Sequence, residues 1–327
     1  MELHNPKVSV VMTVYNGEKY LKESIASILN QTFENFDFII VNNGSTDKTL
    51  DILKSYPDGK IKIINQDNQG PPAAANNGIR ASTAEYIARL DADDIASPNR
   101  LEEQIKFLDH NKNCILVGGY MEYMTEEGEV IYLAKVPLAY DEIKIIIKNG
   151  ECPFLHSSVV FRKATAIRCG LYNPNLFYFH DPDLYRKLAK AEGEMVNLPI
   201  CLGKLRITPS ALSNQTRKEM KRGLDIYLKS ENNDLSDEDL LFFKGLIFKR
   251  NSEIEESIYF LRIARAYLEH TDKISKARFY LWQAVNLWLL NWPAWFSIVK
   301  SFLPVSGRKI LNKIRRSNIF MKYIPKT

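Results

Sequence analysis

Histidine and cysteine are scarce in this chain, and their scarcity excludes much. The four cysteines, Cys114, Cys152, Cys169 and Cys201, stand far apart with no C-x-x-C among them. Neither a zinc-finger scaffold nor a disulfide framework is written here, and a reduced, cytoplasmic setting is expected. The five histidines do not supply the further ligands that a metal phosphohydrolase would need around the His180-Asp181 pair. Glycine motifs are missing too. No G-x-G-x-x-G follows the first apolar run, and no G-x-x-x-x-G-K-[ST] occurs anywhere. A dinucleotide oxidoreductase and a P-loop nucleotidase both lose support. The apolar run Val8 to Tyr15 has no cleavage signature, is too short for a signal peptide, and reads as a strand. Acid is absent from the last stretch: Lys273 to Thr327 holds 11 Lys or Arg and no Asp or Glu. Of the chain's 44 basic and 39 acidic residues, 33 and 39 therefore precede Lys273. A mildly acidic body with a basic tail points to an anionic surface as partner of the tail.

What is present suffices for a full core. The 327 residues are 45% hydrophobic and 25% charged, enough for two domains or for one with an appendage. Strand and helix patterns alternate at first. "VSVVMTVY", "FDFIIV", "IKIIN" and "EYIARL" read as strands of a covered parallel sheet. Between and after them, "EKYLKESIASILNQT", "KTLDILKSY", "AAANNGIRAS" and "PNRLEEQIKFLDHN" read as helices. From about residue 114 the pattern is mixed, with strands at "CILVGGYMEYM", "EVIYLAKVP" and "HSSVVFRK" and a helix over "HDPDLYRKLAKAEG". Beyond Ser213 it is helical. The expected division is 1–213, with halves of about 6–113 and 114–213, then a helical region over 214–327. The fold class is α/β with a mostly parallel, Rossmann-like sheet.

Three segments fall where strands should end: Thr13 to Gly17, Asn42 to Asp47, and Asp91 to Asp94. Ligands of open α/β sheets bind outside the carboxyl ends of strands. Three carboxylates within four positions repel one another and lose solvation on burial. A hard divalent ion, held by a few carboxylates and the oxygens of a phosphorylated ligand, removes that difficulty. The expected substrate therefore carries a diphosphate.

"VSVVMTVYNGEKYLKESIASILNQTFENF", "VNNGSTDKT", "NQGPPAAANNGI" and "EYIARLDADDIASPNRLEEQ" occur in the order and spacing of family 2 glycosyltransferases, which the chain resembles over roughly residues 6 to 213. "HSSVVFRK" followed by "HDPDLYRKL" resembles the later half of that pattern. The resemblance implies a GT-A fold and transfer of a sugar, with inversion, from a nucleoside diphosphate donor to an acceptor hydroxyl. It implies that Thr13 and Tyr15 line the nucleoside pocket, that Asn43 faces the base edge, and that Asp91 contacts the donor ribose or sugar. Asp93 would bind a divalent cation, Mn²⁺ or Mg²⁺, and Asp181 falls at the catalytic base. The chain departs from the family in having Asn42-Asn43 where two aspartates are common, Ala75 where an Arg is frequent, His180 where an acid precedes the base, and Thr208 in place of a His. Asparagine can still pair with a uracil edge, so a UDP-sugar is favoured. His156 reads as a satisfied structural histidine in preference to one lining the acceptor site, and Asp183 as facing solvent or capping its helix.

Displacement at an anomeric carbon needs charge stabilisation on the leaving diphosphate and a base for the attacking hydroxyl. One base opposite the leaving group suffices for inversion. A sugar-phosphate nucleotidyltransferase is the rival enzyme, but "TVYNGEKY" has one Gly and no Arg with which to hold a triphosphate. A nucleic-acid-binding protein using the tail and its four tryptophans leaves the N-terminal motifs without a purpose, so no nucleic acid is expected. From Phe279 to Val299 no residue is charged, long enough to raise a membrane span. Pro293 breaks the run, however, and Gln283, Asn286 and Asn291 form one polar arc. "GRKILNKIRRSN" (307–318) sets apolar residues on one side and basic ones on the other, the pattern of in-plane attachment to an anionic membrane. A glycan or lipid-linked acceptor at the inner membrane face, as in bacterial surface polysaccharide synthesis, is the expectation that follows.

Overall fold

A computed structural model describes residues 5–57, 59, 61–209, 217–229, 236–239, 241–242, 252–289 and 291–303. Its strands are β1 (Val8–Val14), β2 (Phe36–Asn43), β3 (Ile61–Gln66), β4 (Tyr86–Arg89), β5 (Ile95–Ala96), β6 (Cys114–Met124), β7 (Val130–Ala134), β8 (Val160–Arg162) and β9 (Glu194–Arg206). They form one nine-stranded sheet of order β3-β2-β1-β4-β8-β6-β9-β5, with β7 pairing off this line onto β6. The first four strands are mutually parallel, in the register Val8 to Phe36 and Val8 to Tyr86. β8 runs antiparallel to both β4 and β6. The expected mostly parallel sheet is therefore present, with β8 reversed at its centre and the short β5 reversed at its edge, antiparallel to β9.

The continuous apolar runs have a direct cause: both faces of the sheet are covered. Val8, Val10, Met12 and Val14 pack with Phe38, Ile40, Tyr86 and Ala88 on one face. Helices α1 (Leu21–Leu29) and α4 (Arg100–His110) close that face through Leu21, Ile25, Ile28, Leu101 and Ile105. Val11, Ile39, Val41 and Ile87 point the other way. They meet α3 (Pro71–Ala81), α5 (Tyr140–Lys148) and α7 (His180–Leu188) through Ala74, Ile79, Ile143 and Leu184. Full burial of each such aliphatic side chain stabilises the fold by about 1.5–3 kcal/mol. Gly78 lets α3 lie close on β1, since a Cβ there would stand 2.6 Å from Val11 Cγ1.

Several local expectations are corrected. β2 runs on through Asn42 and Asn43, so these residues end a strand and do not open the turn. His156–Ser158 is a 3₁₀ turn leading into β8. Two short elements escaped the sequence patterns, β5 and α6 (Lys163–Arg168), each too brief to establish a period.

By contacts the chain divides into two compact units: Met1–Met124 with Leu133–Arg206 and Arg217–Lys249, and Thr125–Tyr132 with Ile207–Thr216 and Arg250–Thr327. α2 (Thr49–Lys54) and α8 (Arg217–Lys229) complete the described helices of the first. In the second, α9 (Ser252–His270) packs on α10 (Ile274–Leu287), and α11 (Trp292–Ser301) follows. The run from Phe279 to Val299 is thus two helices, the second opening with Pro293 in its first turn. Asn291 does not share an exposed arc with Gln283 and Asn286. It is buried, accepts the Ala294 N–H at 3.1 Å as the α11 cap, and donates to Ser257 Oγ at 2.9 Å. No described helix is long and apolar enough to cross a membrane. The basic segment 307–318 lies outside the described residues.

Candidate active site

The exits of β1 and β2 are tied together by side chains. Thr13 sits in β1 opposite Val41, partly exposed, and Tyr15 beyond the strand is 51% exposed. Asn16 takes a left-handed conformation, φ 53°, which asparagine tolerates. Its Oδ1 accepts the Thr46 N–H at 2.8 Å, and its own N–H donates to Ser45 Oγ at 3.0 Å. Gly17 N–H donates to Thr49 Oγ1 at 2.8 Å. Asn43 is buried; its Oδ1 accepts from Gln66 Nε2 at 2.9 Å and Gln69 N–H at 3.1 Å, and its Nδ2 donates to Asn68 Oδ1 at 3.0 Å. Among the described contacts one Asn43 amide hydrogen is left over.

The aspartate cluster after β4 separates into two kinds of residue. Asp91 keeps a carboxylate 45% exposed, 3.4 Å from Arg89 Nη2, while its N–H donates to Ser157 Oγ at 3.1 Å. Asp93 is partly exposed, and its carbonyl accepts from Arg206 Nε at 3.1 Å. Desolvation and the neighbouring Asp91 charge raise the Asp93 carboxyl to about 7, against a smaller opposing pull from Arg206. Asp94 turns inward and is buried. It accepts from Ser157 Oγ and, at 2.8 Å, from Arg206 N–H. Burial first, then Asp93 and Asp91, push its pKa well above the carboxylate range. The third carboxylate is thus an anchor, clamping the loop to partners distant in sequence, and the first two are left facing outward.

Asp181 opens α7 behind Phe179, whose left-handed φ of 63° turns the chain into the helix. Its Oδ1 lies 2.8 Å from His180 Nε2 and 3.5 Å from His156 Nδ1. His180 Nδ1 donates to the Phe177 carbonyl at 3.0 Å. Burial is the largest single influence on His180 and would lower its pKa, but the Asp181 charge and hydrogen bond, the Phe177 carbonyl and the Asp91 charge together raise it. Burial likewise opposes charge on Asp181, yet His180, hydrogen-bonded to it, and the Arg89 charge hold its pKa below the ordinary value. His156 is buried to a 9% exposed side chain between the Tyr185 hydroxyl at 2.8 Å and the Tyr172 hydroxyl at 3.1 Å. Its Nε2 accepts from Arg89 Nε at 3.3 Å, and desolvation drops its pKa to about 4. His156 is therefore neutral at physiological pH, whereas His180 is held above the ordinary imidazole value.

Arg89 connects the two acidic segments. Its buried guanidinium also donates to the Val11 carbonyl, and it reaches Asp91 on one side and His156 on the other. The segment leading to Asp181 is fixed to α3 by an amide clasp: Asn76 Nδ2 donates to the Tyr172 carbonyl at 2.8 Å, and Asn76 Oδ1 accepts the Tyr172 N–H at 3.1 Å. Gly70, which caps α3 at φ 85°, packs so closely on Phe177 that a Cβ would lie 1.9 Å from the ring.

Asp183 neither faces solvent nor serves as an exposed cap. It is 1% exposed, with Arg186 at 2.8 Å and Lys187 at 2.7 Å. Two cations one helical turn onward compensate its desolvation. Sequence reading also missed Arg89, Ser157, Tyr172 and Arg206, and for His156 it favoured a structural role over a place at the acceptor site. The available signal was an arginine inside the apolar run "EYIARL" immediately before the aspartates, a charge that burial there obliges to have partners.

A family model described as "Glycosyl transferase family 2" matches residues 9–171, ending before Asp181. An uncharacterized glycosyltransferase of Rickettsia prowazekii is 32% identical over 267 residues, covering 77% of this chain and 80% of that one. One of Haemophilus influenzae is 33% identical over 239 residues, 66% of this chain and 72% of its own. Among solved structures, S. aureus TarS in complex with UDP-GlcNAc superposes with TM-score 0.57 at 17% identity, over 86% of this chain and 89% of that one. The mannosyltransferase PcManGT from Pyrobaculum calidifontis, in complex with GDP-Man and Mn²⁺, gives 0.51 at 15% identity over 91% and 84%. At such identities the structural likeness carries the fold. The motifs, the family match and the length of the shared alignment together make this chain a member of glycosyl transferase family 2, with the GT-A type of sheet.

Proposed function

We propose that the chain is an inverting transferase that moves a sugar from a nucleoside diphosphate, UDP in preference, to a hydroxyl of a glycan or lipid-linked acceptor, in bacterial surface polysaccharide synthesis at the inner membrane face. The observation that carries the reading is the Arg89 bridge. It joins the outward-facing Asp91, through His156, to Asp181, 90 positions later in the chain. Donor phosphates and acceptor hydroxyl have to meet in such a place. The Asp181 carboxylate takes the hydroxyl proton as the new bond forms. Its lowered pKa makes it a weak base at rest, so transfer occurs only once bond formation has acidified the hydroxyl. A single in-line displacement with inversion needs no covalent intermediate.

Thr13 and Tyr15 flank the nucleoside in this reading, Asp91 contacts the ribose or sugar, and the remaining Asn43 N–H meets a base carbonyl. The residues fit a hard divalent cation. Asp93 and Asp91 are partly exposed carboxylates whose mutual repulsion, with desolvation, raises Asp93, and a cation relieves both. Mn²⁺ or Mg²⁺ held by Asp93 would neutralise charge developing on the leaving diphosphate. A second set, His156, His180 and Asp181, has ligand atoms within 4.8 Å of one another. It suits a cation less well, because the Arg89 guanidinium already occupies His156 Nε2.

Thermal-shift screening of nucleotides and nucleotide sugars, with and without Mn²⁺, tests the donor assignment. A selective, Mn²⁺-dependent shift with a uridine nucleotide is the expected result. No shift with any nucleoside diphosphate would remove the donor reading.

A further inference from the structure

Helix α11 is built inside out. Its inward positions are largely polar: Ser297, Lys300 and Ser301 are buried beside Ala294 and Ile298. Ser297 Oγ donates to the Pro293 carbonyl at 2.8 Å, and Lys300 lies 3.7 Å from Glu269. Ser301 accepts from Arg278 at both its hydroxyl, 3.2 Å, and its carbonyl, 3.1 Å. Its outward positions are apolar. Trp295, Val299 and Phe302 recur at i, i+4 and i+7, with Phe296 beside them, and Val299 and Phe302 are 66% and 67% exposed. α10 adds Phe279 and the half-exposed Trp282, whose ring meets Trp295 edge-on at 6.0 Å. Single exposed apolar residues are ordinary, but a contiguous aromatic face is not. An amphipathic helix that turns its polar stripe toward protein and its aromatic stripe outward requires an apolar or interfacial medium outside.

We infer that the aromatic face of α10 and α11 seats in the headgroup–acyl boundary of an anionic bilayer, lying in its plane. Charge selects this occupant over a second copy of the chain. Apart from Lys273 and Lys276, paired with Glu129, and Lys300, beside Glu269, the stretch from Lys273 to Thr327 holds eight basic residues and no acid, so a symmetric pair would bring like charges together, whereas anionic headgroups neutralise them. Seven of the eight follow the end of α11, from Arg308 to Lys326. Tryptophan is suited to this boundary, its ring apolar and its N–H polar. The ten residues of α11 extend about 15 Å, half the hydrocarbon thickness, which fits an in-plane helix and not a spanning one.

The test uses full-length protein and the triple variant Trp295→Ser, Val299→Ser, Phe302→Ser; because Trp295 also packs on Trp282, melting of every protein is recorded, and the single variant Val299→Ser, at a position 66% exposed, serves as the folding-neutral companion that should lower flotation in the same direction. Flotation is measured with vesicles of phosphatidylcholine alone and of phosphatidylcholine with phosphatidylglycerol. Wild type should float with the anionic vesicles, less at high salt, and its tryptophan emission should be quenched by lipids brominated on the acyl chain. The variant's partitioning should fall at least roughly tenfold, the scale set by removing three apolar side chains from a buried environment. Equal flotation of variant and wild type would overturn the inference. So would a wild-type dimer, seen by sedimentation, that the variant dissolves while neither protein binds vesicles, since the face would then be a self-association surface.

Discussion

The two acidic segments, Asp91 to Asp94 and His180 to Asp183, follow one plan with opposite electrostatics. Each turns one carboxylate inward as an anchor, Asp94 or Asp183, and leaves another partly open, Asp93 or Asp181. Around Asp93 and Asp94 the nearest charges are other carboxylates, and both pKa values rise. Around Asp181 they are His180 and Arg89, and its pKa falls. In the first segment burial and then like charges raise the carboxyls, and a divalent cation bound there, as proposed above, would relieve both. A segment that carries its cations in the protein already holds a charged carboxylate in place. The same residue type is thereby assigned two tasks by its neighbours.

The contrast can be broken at either end. Asp181→Asn keeps size and hydrogen bonding while removing the proton acceptor. Turnover should fall by about 10²-fold or more, the scale of general-base catalysis, with donor affinity unchanged by calorimetry; near-normal transfer would sink the base assignment. Asp93→Ala should reverse that split: Mn²⁺-dependent donor binding is lost by roughly tenfold or more as one charged ligand is removed, and unchanged binding would show that the cation sits elsewhere. The two anchors sharpen the contrast. Asp183→Asn removes the carboxylate charge that faces Arg186 and Lys187 and should lower unfolding free energy by about 2–3 kcal/mol in denaturant titration, below the loss for a fully buried pair because Lys187 is partly exposed. His156 supplies the pH test. Its folded pKa of about 4 lies below the ordinary 6.5, so the unfolded chain takes up the proton first. The stabilisation is complete above pH 6.5 and is lost as pH falls toward 4. His156→Gln should melt with a flatter pH dependence over that window than wild type, and parallel curves would contradict a buried neutral histidine. The smallest effect is expected for Asp94→Asn. Asp94 is already pushed toward its neutral form, and asparagine can donate to Ser157 while accepting from Arg206. A loss above about 1 kcal/mol would mean that Asp94 is ionised.

Much of this was legible in the sequence, for identifiable reasons. β1 to β4 could be read because burial on both faces makes each an unbroken apolar run bounded by turns. The aspartates at the end of β4 could be read because strand ends are where ligands bind. What could not be read is which carboxylate turns inward. Asp94 and Asp183 carry the same letter as Asp93 and Asp181, and the Asp94 partners Ser157 and Arg206 stand 63 and 112 positions away. The reversed polarity of α11 was hidden by another cause. The uncharged run from Phe279 to Val299 invites a single helical wheel, and the break at Trp288 to Asn291 resets the phase.

Gly70 has a bearing on how this family can diverge. Two independent demands fall on it, a positive φ and the Phe177 ring against its missing side chain. Shrinking Phe177 lifts only the second demand, so no compensating change at that ring can free position 70. A smaller residue at position 177 would relieve the contact at position 70 but not its backbone conformation. In a deep mutational scan the double change Gly70→Ala with Phe177→Ala should stay as impaired in folding as its backbone conformation dictates. The turn that opens α3 is in that sense a one-way ratchet, able to lose its aromatic neighbour and unable to lose its glycine.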